Sequence, residues 1–168
     1  MPPSLIFICG VSGSGKTTIG KLLSERCAIP FFDADDYHSA ANKKKMHEGQ
    51  ALNDNDRSEW LKGLNQLAIE QCADKGAIIA CSALKEQYRK MLADSIVVPV
   101  HWVFLQGSFS LIEERMKKRK GHYMPASLLQ SQFDILEMPS NNAIVQDIAN
   151  GPTVIAEDVY RQLLSQKQ

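Results

Sequence analysis

Long apolar runs, Cys-x-x-Cys pairs and an excess of charge of either sign are all missing from this sequence. Its 168 residues include 19 basic and 19 acidic side chains, so no overall electrostatic field would attract nucleic acid or an anionic membrane. No segment approaches the roughly 18 apolar residues that a membrane-spanning helix needs, and the apolar run at residues 5–9 is too short for a signal sequence. We therefore expect a cytoplasmic protein that binds neither nucleic acid nor a membrane.

The cysteines point to the same compartment. All of them lie in or beside apolar segments: Cys9, Cys27, Cys72 and Cys81. Because no two have the spacing of a zinc site, buried reduced thiols suit them better than a disulfide framework or a metal centre. The length of the chain predicts a single domain over residues 1–168.

Short apolar runs alternate with segments of helical periodicity. The predicted strands are residues 5–9, 30–33, 77–81, 100–105 and 143–148, and the predicted helices include 15–27, 56–72, 109–118 and 158–166. This alternation predicts an α/β fold in three layers, with a mainly parallel sheet covered by helices on both faces. Two segments interrupt it, and we expect a substrate-binding insert at about residues 36–60 and a mobile lid starting near residue 117.

A glycine-rich turn follows the first predicted strand. It fits the pattern G-x-x-x-x-G-K-[ST] and opens a predicted helix, which is the context that this pattern requires. Lys16 would reach the β- and γ-phosphates of a nucleotide, and the Thr17 hydroxyl would coordinate Mg²⁺. The predicted nucleotide-binding residues of the loop are Gly10, Val11, Ser12, Gly13, Ser14, Gly15, Lys16, Thr17 and Thr18.

Two acidic residues stand two positions apart where the second predicted strand ends. In an extended chain, Asp33 and Asp35 would share one face and point into one site. Asp33 could then hold magnesium through water, and Asp35 could accept a hydrogen bond from an acceptor hydroxyl. The alternative is that an aspartate here caps the next helix, a role that suits Asp36.

Basic residues occur in pairs one helical turn apart. Lys85 and Arg89 follow the third predicted strand and would suit a carboxylate or polyhydroxyl ligand, although a solvated basic face would show the same pattern. Arg115 and Arg119 lie where the predicted lid begins, and they would stabilise charge on a phosphoryl group in transfer.

The stretch LNDNDRSEW at residues 52–60 predicts the start of a helix. Asp56 and Glu59 have the spacing of a capping box. Arg57 would then lie in the first helical turn, an electrostatically poor place for a cation, so we interpret it as an anion ligand.

Six motifs in this order resemble the gluconate kinase family of small P-loop kinases, which is related in fold to shikimate and nucleoside monophosphate kinases. They are GVSGSGKTT (10–18), DADDYH (33–38), N-x-x-K-M (42–46), LNDNDR-x-x-WL (52–61), CSALK-x-x-YR (81–89) and R-x-x-x-R-x-GHYMP-x-x-LLQSQF-x-x-LE (115–137). The departures from the family pattern are mild, namely Ala51, Ser58-Glu59 and Tyr123, and none removes a charged group.

The resemblance implies phosphorylation of D-gluconate on its 6-hydroxyl, with ATP and Mg²⁺. It also implies the strand order 2-3-1-4-5, a lid over about residues 117–130 and, in many members, a homodimer. The predicted catalytic residues are Lys16, Asp35 and Arg119. The predicted substrate-binding residues are Asp35, Arg57, Lys85, Arg89, His122 and Gln132. Arg115 and Arg119 join the loop as predicted nucleotide-binding residues, and the predicted metal ligands are Thr17 and Asp33.

Two other functions stay open from the sequence. One is a kinase for another small hydroxy acid, such as shikimate or a different aldonate, because the acceptor pocket rather than the phosphate loop decides the substrate. The other is a nucleotide-binding regulator without catalytic activity. A GTPase switch is disfavoured, since NKKK at residues 42–45 lacks the aspartate of the base-reading motif N-K-x-D.

Overall fold

A parallel five-stranded sheet forms the centre of the molecule. The computed structural model describes residues 3–119, 125–139 and 142–166. The strands are β1 (Ser4–Cys9), β2 (Phe31–Asp33), β3 (Gly76–Ala80), β4 (Val100–Gln106) and β5 (Ala143–Asp147). They lie in the order β2-β3-β1-β4-β5, and all four pairings are parallel. The predicted order and all five predicted strands are confirmed.

Helices connect the strands. They are α1 (Lys16–Cys27), α2 (Ala40–His47), α3 (Asp54–Cys72), α4 (Glu86–Ala93), α5 (Phe109–Lys118), α6 (Ala126–Ile135) and α7 (Pro152–Ser165). A short 3₁₀ turn, Ala34–Tyr37, follows β2. The last helix begins six residues before its predicted start, because Pro152 at its first turn is a favourable helix start.

The two faces of the sheet carry separate apolar cores. Side chains alternate along β1, so Ile6 and Ile8 pack with α1, α5 and α7, whereas Leu5 and Phe7 pack with α3 and α4. All six residues of β1 are buried, as expected for the central strand of a sheet covered on both faces. This arrangement confirms the predicted three layers.

The start of α3 corrects the predicted capping box. The N-cap is Asn53, whose side chain accepts a hydrogen bond from the Asp56 N–H at 2.8 Å, while the Asp56 carboxylate accepts from the Asn53 N–H at 3.0 Å. The expectation that Asp56 opens the helix with Glu59 was therefore wrong by three residues. Asparagine and aspartate form the same reciprocal pair as the usual residues, and Arg57 begins the second turn.

All four cysteines are reduced, without a disulfide bond among the described residues, and Cys9 and Cys81 are fully buried between the sheet and α3. Burial raises the pKa of both thiols, that of Cys81 to about 12. Within the part of the chain that the structure describes, no helix is long and apolar enough to cross a membrane.

Candidate functional site

The phosphate loop between β1 and α1 depends on glycine for its conformation. Gly10 and Gly13 have φ angles of 141° and 78°, a region that side chains rarely allow. A Cβ atom on Gly10 would lie 2.8 Å from the Leu105 carbonyl oxygen, and one on Gly13 would lie 2.7 Å from Met116 Cγ. No side chain caps the first turn of α1, so its N–H groups are available to an anion at the helix N-terminus.

The Lys16 side chain bends back towards the start of this loop. Its Nζ donates a hydrogen bond to the Val11 carbonyl oxygen at 3.0 Å. Burial lowers the pKa of Lys16, and the carboxylates of Asp35 and Asp33 oppose that shift. The amine therefore lies at the inner rim of the loop, where it can pair with a phosphate oxygen.

Thr17 and Asp33 meet at the predicted magnesium site. Thr17 Oγ1 donates to Asp33 Oδ2 at 2.6 Å. This contact is possible because Gly20 lets α1 lie directly against β2: a Cβ there would be 2.3 Å from Phe31 Cε2. A hydroxyl and a carboxylate are the hard oxygen ligands that Mg²⁺ takes together with substrate phosphates, so these residues fit the ion.

The backbone conformation at Asp35 differs from the prediction. The chain does not continue as a strand after Asp33; it turns into the 3₁₀ helix, and Asp33 Oδ1 accepts a hydrogen bond from the Asp35 N–H at 3.1 Å. The expectation that both side chains share one face of an extended strand was therefore wrong. Asp33 takes the capping role that had been considered for Asp36, because its carboxylate stands at the start of the turn.

The Asp35 carboxylate nevertheless lies close enough to Lys16 of the phosphate loop for the two charges to interact. Its side chain is 83% exposed, and the surrounding residues remove only part of its hydration. This partial desolvation raises the pKa of Asp35, and the Lys16 ammonium opposes the shift. An exposed carboxylate with a raised pKa beside a phosphate-binding lysine suits a group that accepts a proton.

His38 belongs to the same cleft, although sequence reasoning gave it no role. Its ring stacks on Trp60 with centroids 4.1 Å apart, and the Trp60 Nε1–H donates to the Ala34 carbonyl oxygen at 2.8 Å. His38 Nε2 lies 4.0 Å from Asp35 Oδ1. Burial, followed by the nearby charge of Arg57, lowers the pKa of His38 to about 4, so the imidazole is neutral at pH 7. Its place in the DADDYH motif was the available signal.

Two cations lie near the ring of Tyr88. The Arg57 guanidinium carbon is 5.6 Å from the ring centroid and Lys85 Nζ is 5.5 Å from it. Arg57 is only 8% exposed, and its Nε has no hydrogen-bond partner. A buried, unpaired donor is costly, so Arg57 is suited to an incoming acceptor.

Lys85 is paired across the cleft. Its Nζ donates to Asp54 Oδ1 at 2.8 Å, and Asp54 also accepts hydrogen bonds from Gln87 and from the Tyr88 hydroxyl. These donors, first of all Lys85, lower the pKa of Asp54 to about 2. Lys85 thus ties the start of α4 to the start of α3 at the edge of the cleft.

Arg89 does not project beside Lys85. It is buried, and its Nη1 donates to the Ala83 carbonyl oxygen at 2.8 Å while Nη2 pairs with Glu86 at 2.9 Å. The predicted shared basic face is therefore wrong, because α4 begins only at Glu86 and the loop before it directs Lys85 elsewhere. A role for Arg89 in substrate binding stays a prediction.

A cavity of about 180 Å³ lies on the other side of the phosphate loop. It is lined by Gly13, Ser14, Gly15, Thr18, Ile19, Arg115, Arg119, Asn150, Pro152 and Ile155. Arg115 Nη2 donates to the Ile148 carbonyl oxygen at 2.5 Å, which orders the loop after β5. Sequence reasoning predicted both arginines, but it missed Asn150, Pro152 and Ile155, which no motif marks.

Gln132 contacts the phosphate loop itself. Its Oε1 accepts a hydrogen bond from the Ser12 N–H at 2.7 Å, and its Nε2 donates to Ser12 Oγ at 3.0 Å. His122, the other predicted residue of the lid motif, lies outside the described residues, as does the segment 120–124 of the predicted lid.

A phosphate loop at the carboxyl edge of a 2-3-1-4-5 sheet, with an acid–cation cleft beside it, defines a P-loop kinase of the small-molecule type. Comparison with known proteins narrows this class. The sequence model described as shikimate kinase matches residues 12–166. The chain belongs to the shikimate kinase family and, within it, to the group of gluconokinases, and this family membership implies ATP as the phosphoryl donor.

The similarities that place it there extend over nearly whole chains. A probable gluconokinase of Rattus norvegicus is 42% identical, over 96% of this chain and 98% of its own length. The structure of a gluconokinase from Sinorhizobium meliloti 1021 superimposes with a TM-score of 0.82 at 36% identity, covering 99% of both chains. An unliganded sugar kinase from Janibacter sp. HTCC2649 gives a TM-score of 0.88 at 40% identity, over 96% of this chain and 95% of its own.

Proposed function

We propose that this protein transfers the γ-phosphoryl group of ATP to the 6-hydroxyl of D-gluconate, giving 6-phospho-D-gluconate and ADP. The observation that carries the proposal is that the Asp35 carboxylate lies within electrostatic range of both the Lys16 amine and the buried cation Arg57, each of which opposes the rise in its pKa that desolvation causes. The names of the similar proteins support gluconate as the acceptor.

The phosphate loop would hold the nucleotide. Its N–H groups and the N-terminus of α1 bind the phosphates, and Lys16 pairs with an oxygen on the terminal ones. Arg115 and Arg119 would contact the nucleotide from α5 and its end, and Arg119 would stabilise charge on the group in transfer. Thr17 and Asp33 would hold Mg²⁺, which neutralises phosphate charge when it is bound.

Asp35 would act on the acceptor. Its carboxylate accepts the proton of the 6-hydroxyl as the new bond forms between that oxygen and the γ-phosphorus. The bond between the γ-phosphorus and the bridging oxygen breaks at the same time, and ADP leaves with that oxygen. Because the transition state of phosphoryl transfer is loose, the carboxylate mainly orients the hydroxyl, so a modestly raised pKa is sufficient.

Cationic side chains would recognise the carboxylate end of the substrate. Arg57 has an unpaired buried Nε, and Lys85 can exchange its Asp54 partner for a substrate oxygen. A guanidinium and an ammonium suit a carboxylate with neighbouring hydroxyls. Arg89 and His122 complete the proposed set of substrate-binding residues, whereas Gln132, which was predicted with them, contacts Ser12 of the phosphate loop.

Shikimate or another aldonate is the runner-up acceptor, and a regulator without catalysis is the contrasting possibility. An assay of ADP release with a panel of sugar acids separates them. We expect stimulation by gluconate above all the other acids and almost no turnover without an acceptor. Equal or greater stimulation by another acid would reject gluconate, and no turnover with any acceptor would reject the kinase.

We further propose that the protein works in the cytoplasm, as a homodimer. The absence of disulfide bonds among the described cysteines supports the location, because reducing compartments disfavour disulfide formation. Light scattering of the purified protein tests the assembly: a mass of about twice the 18.7 kDa of one chain is expected, and a monomeric mass would reject the dimer.

A further inference from the structure

One side chain of α6 engages the phosphate loop with both of its polar atoms. The Gln132 amide accepts from the Ser12 N–H and donates to the Ser12 hydroxyl, at 2.7 and 3.0 Å. The two residues are 120 positions apart in the chain, so the contact joins two elements that are remote in sequence. An amide matches this backbone N–H and hydroxyl because it carries an acceptor and a donor side by side.

The contact lies at the end of the loop that serves the terminal phosphates. Lys16 Nζ is 3.0 Å from the carbonyl oxygen of Val11, the residue next to Ser12, and the lysine of such a loop reaches the β- and γ-phosphates. The first-turn N–H groups of α1, by contrast, lie at the opposite end of the loop. A terminal phosphate held by Lys16 would therefore lie closer to the Gln132 amide than the nucleoside would.

The same helix is also attached to the acceptor side of the cleft. Just beyond the end of α6, the Glu137 carboxylate accepts a hydrogen bond from the Glu86 N–H at 2.7 Å, and the Glu137 N–H donates to the Leu84 carbonyl oxygen at 2.8 Å. These contacts hold the start of α4, next to Lys85. The end of α6 and the two residues that follow it thus connect Ser12 in the phosphate loop with the start of α4, beside the predicted gluconate-binding residue Lys85.

We propose that Gln132 is a positioning residue that holds Ser12, and with it the terminal phosphate of ATP, in register with the acceptor bound between α3 and α4. This proposal rests on the proposed kinase function for its acceptor but assigns Gln132 to the phosphate loop instead of the substrate. Its consequence is that transfer to the acceptor depends on Gln132 more strongly than nucleotide binding does.

The first experiment compares Gln132→Leu with Gln130→Leu. Gln130 lies on the exposed side of the same helix, where its Nε2 bonds Asp134 at 2.8 Å, so it controls for the loss of an amide from α6. We expect Gln132→Leu to lower kcat with gluconate at least tenfold, to change the Kd for ADP less than threefold and to leave ATP hydrolysis without acceptor unreduced. Gln130→Leu should match the unsubstituted protein.

The ratio of transfer to hydrolysis separates positioning from a merely structural role. A damaged fold lowers both activities in proportion, and a melting temperature measured on each variant detects it. A kcat within threefold of the unsubstituted value, or a proportional loss of transfer and hydrolysis, would overturn the proposal.

A second variant, Gln132→Glu, tests whether Gln132 lies near the terminal phosphate of ATP, and this test needs no acceptor. The carboxylate keeps an acceptor for the Ser12 N–H and adds a negative charge near the third phosphate. We expect its affinity for ATP to fall at least tenfold more than its affinity for ADP, as measured by calorimetry. Equal weakening of both nucleotides would overturn the proposal. This result does not depend on whether gluconate is the acceptor. The proposed kinase function and the proposed role of Gln132 can therefore be rejected independently of each other.

Discussion

The two sides of the cleft are built in different ways. The nucleotide side consists of the phosphate loop, the start of α1, α5 and the loop after β5, and its central groups are backbone N–H donors from one continuous stretch of chain. The acceptor side consists of the 3₁₀ turn and helices α2 to α4, and its groups are side chains brought together from separate elements.

The difference also appears in how the polar groups are satisfied. On the acceptor side, the buried atoms His38 Nδ1 and Arg57 Nε have no partner among the described residues. On the nucleotide side, the amine of Lys16 and the hydroxyl of Thr17 are both hydrogen-bonded, and the buried atom without a partner among the described residues is the neutral Ser14 Oγ. An anion site built mainly from backbone N–H groups thus faces a cleft that contains an unpaired buried cation, and substitutions on each side should affect different kinetic constants.

Replacing Asp35 should have the largest effect. Asp35→Asn keeps the size and removes the proton acceptor, so we expect kcat to fall about 10²- to 10⁴-fold, the usual contribution of a general base. The KM for ATP should change less than threefold. Steady-state kinetics with Asp36→Asn, which removes an exposed neighbouring charge, provides the control. An Asp35→Asn enzyme with unchanged turnover would remove this carboxylate from the mechanism.

Arg57→Gln should change the KM of the acceptor and leave the KM of the nucleotide unchanged. Loss of a charge-assisted hydrogen bond to the acceptor costs about 1.5–3 kcal/mol, so the KM for gluconate should rise roughly 10- to 150-fold while the KM for ATP stays constant. Arg57→Lys, which keeps the charge, should recover part of the loss. As a control, Arg26→Gln alters an exposed arginine paired with Glu157 and should change neither KM. If Arg57→Gln raised both KM values in parallel, the assignment of Arg57 to the acceptor would be contradicted.

His38 should make the free energy of unfolding depend on pH in the acidic range. Its folded pKa of about 4 lies below the ordinary value of 6.5, so the unfolded chain takes up the proton first and stability falls as pH drops from 6.5 towards 4. Between pH 7 and 5 this amounts to about 2 kcal/mol. His38→Phe keeps the stack on Trp60 and should lose that part of the pH dependence in urea unfolding. Identical pH profiles for the two proteins would refute the low pKa.

The smallest effect is expected on the nucleotide side. Arg115→Lys loses the hydrogen bond to the Ile148 carbonyl oxygen that orders the loop beside Asn150 and Pro152. A net loss of about 1 kcal/mol should raise the KM for ATP about fivefold without changing the KM for gluconate. Lys118→Ala, at an exposed pair with Glu114, is the control. A change in the KM for gluconate instead would show that Arg115 serves the acceptor.

The same contrast explains how much the sequence could predict. The strands and the phosphate loop were predictable because local patterns determine them: short apolar runs for the strands, and glycines at fixed spacing for positions with positive φ. The acid pair lies at the end of the second strand, as predicted, but its geometry differs, because the hydrogen bond from the Asp35 N–H to Asp33 stabilises a turn where alternation alone predicted an extended chain.

Contacts between remote elements could not be read from the sequence. Nothing in the pattern around Gln132 indicates that it bonds Ser12, and no motif marks Pro152 or Ile155 as part of the nucleotide cavity. Arg89 was misjudged because a helical spacing of four residues gives a shared face only inside a helix, and Lys85 lies before its first turn. Such relations depend on how the layers pack, which the spacing of residues does not contain.

A structure of the complex with D-gluconate, Mg²⁺ and a non-hydrolysable ATP analogue would test the central claim most directly. The account predicts an Asp35 carboxylate oxygen within about 3.2 Å of the gluconate 6-hydroxyl, with that hydroxyl in line behind the terminal phosphorus. A complex in which both ligands are bound and Asp35 points away from the hydroxyl would contradict it.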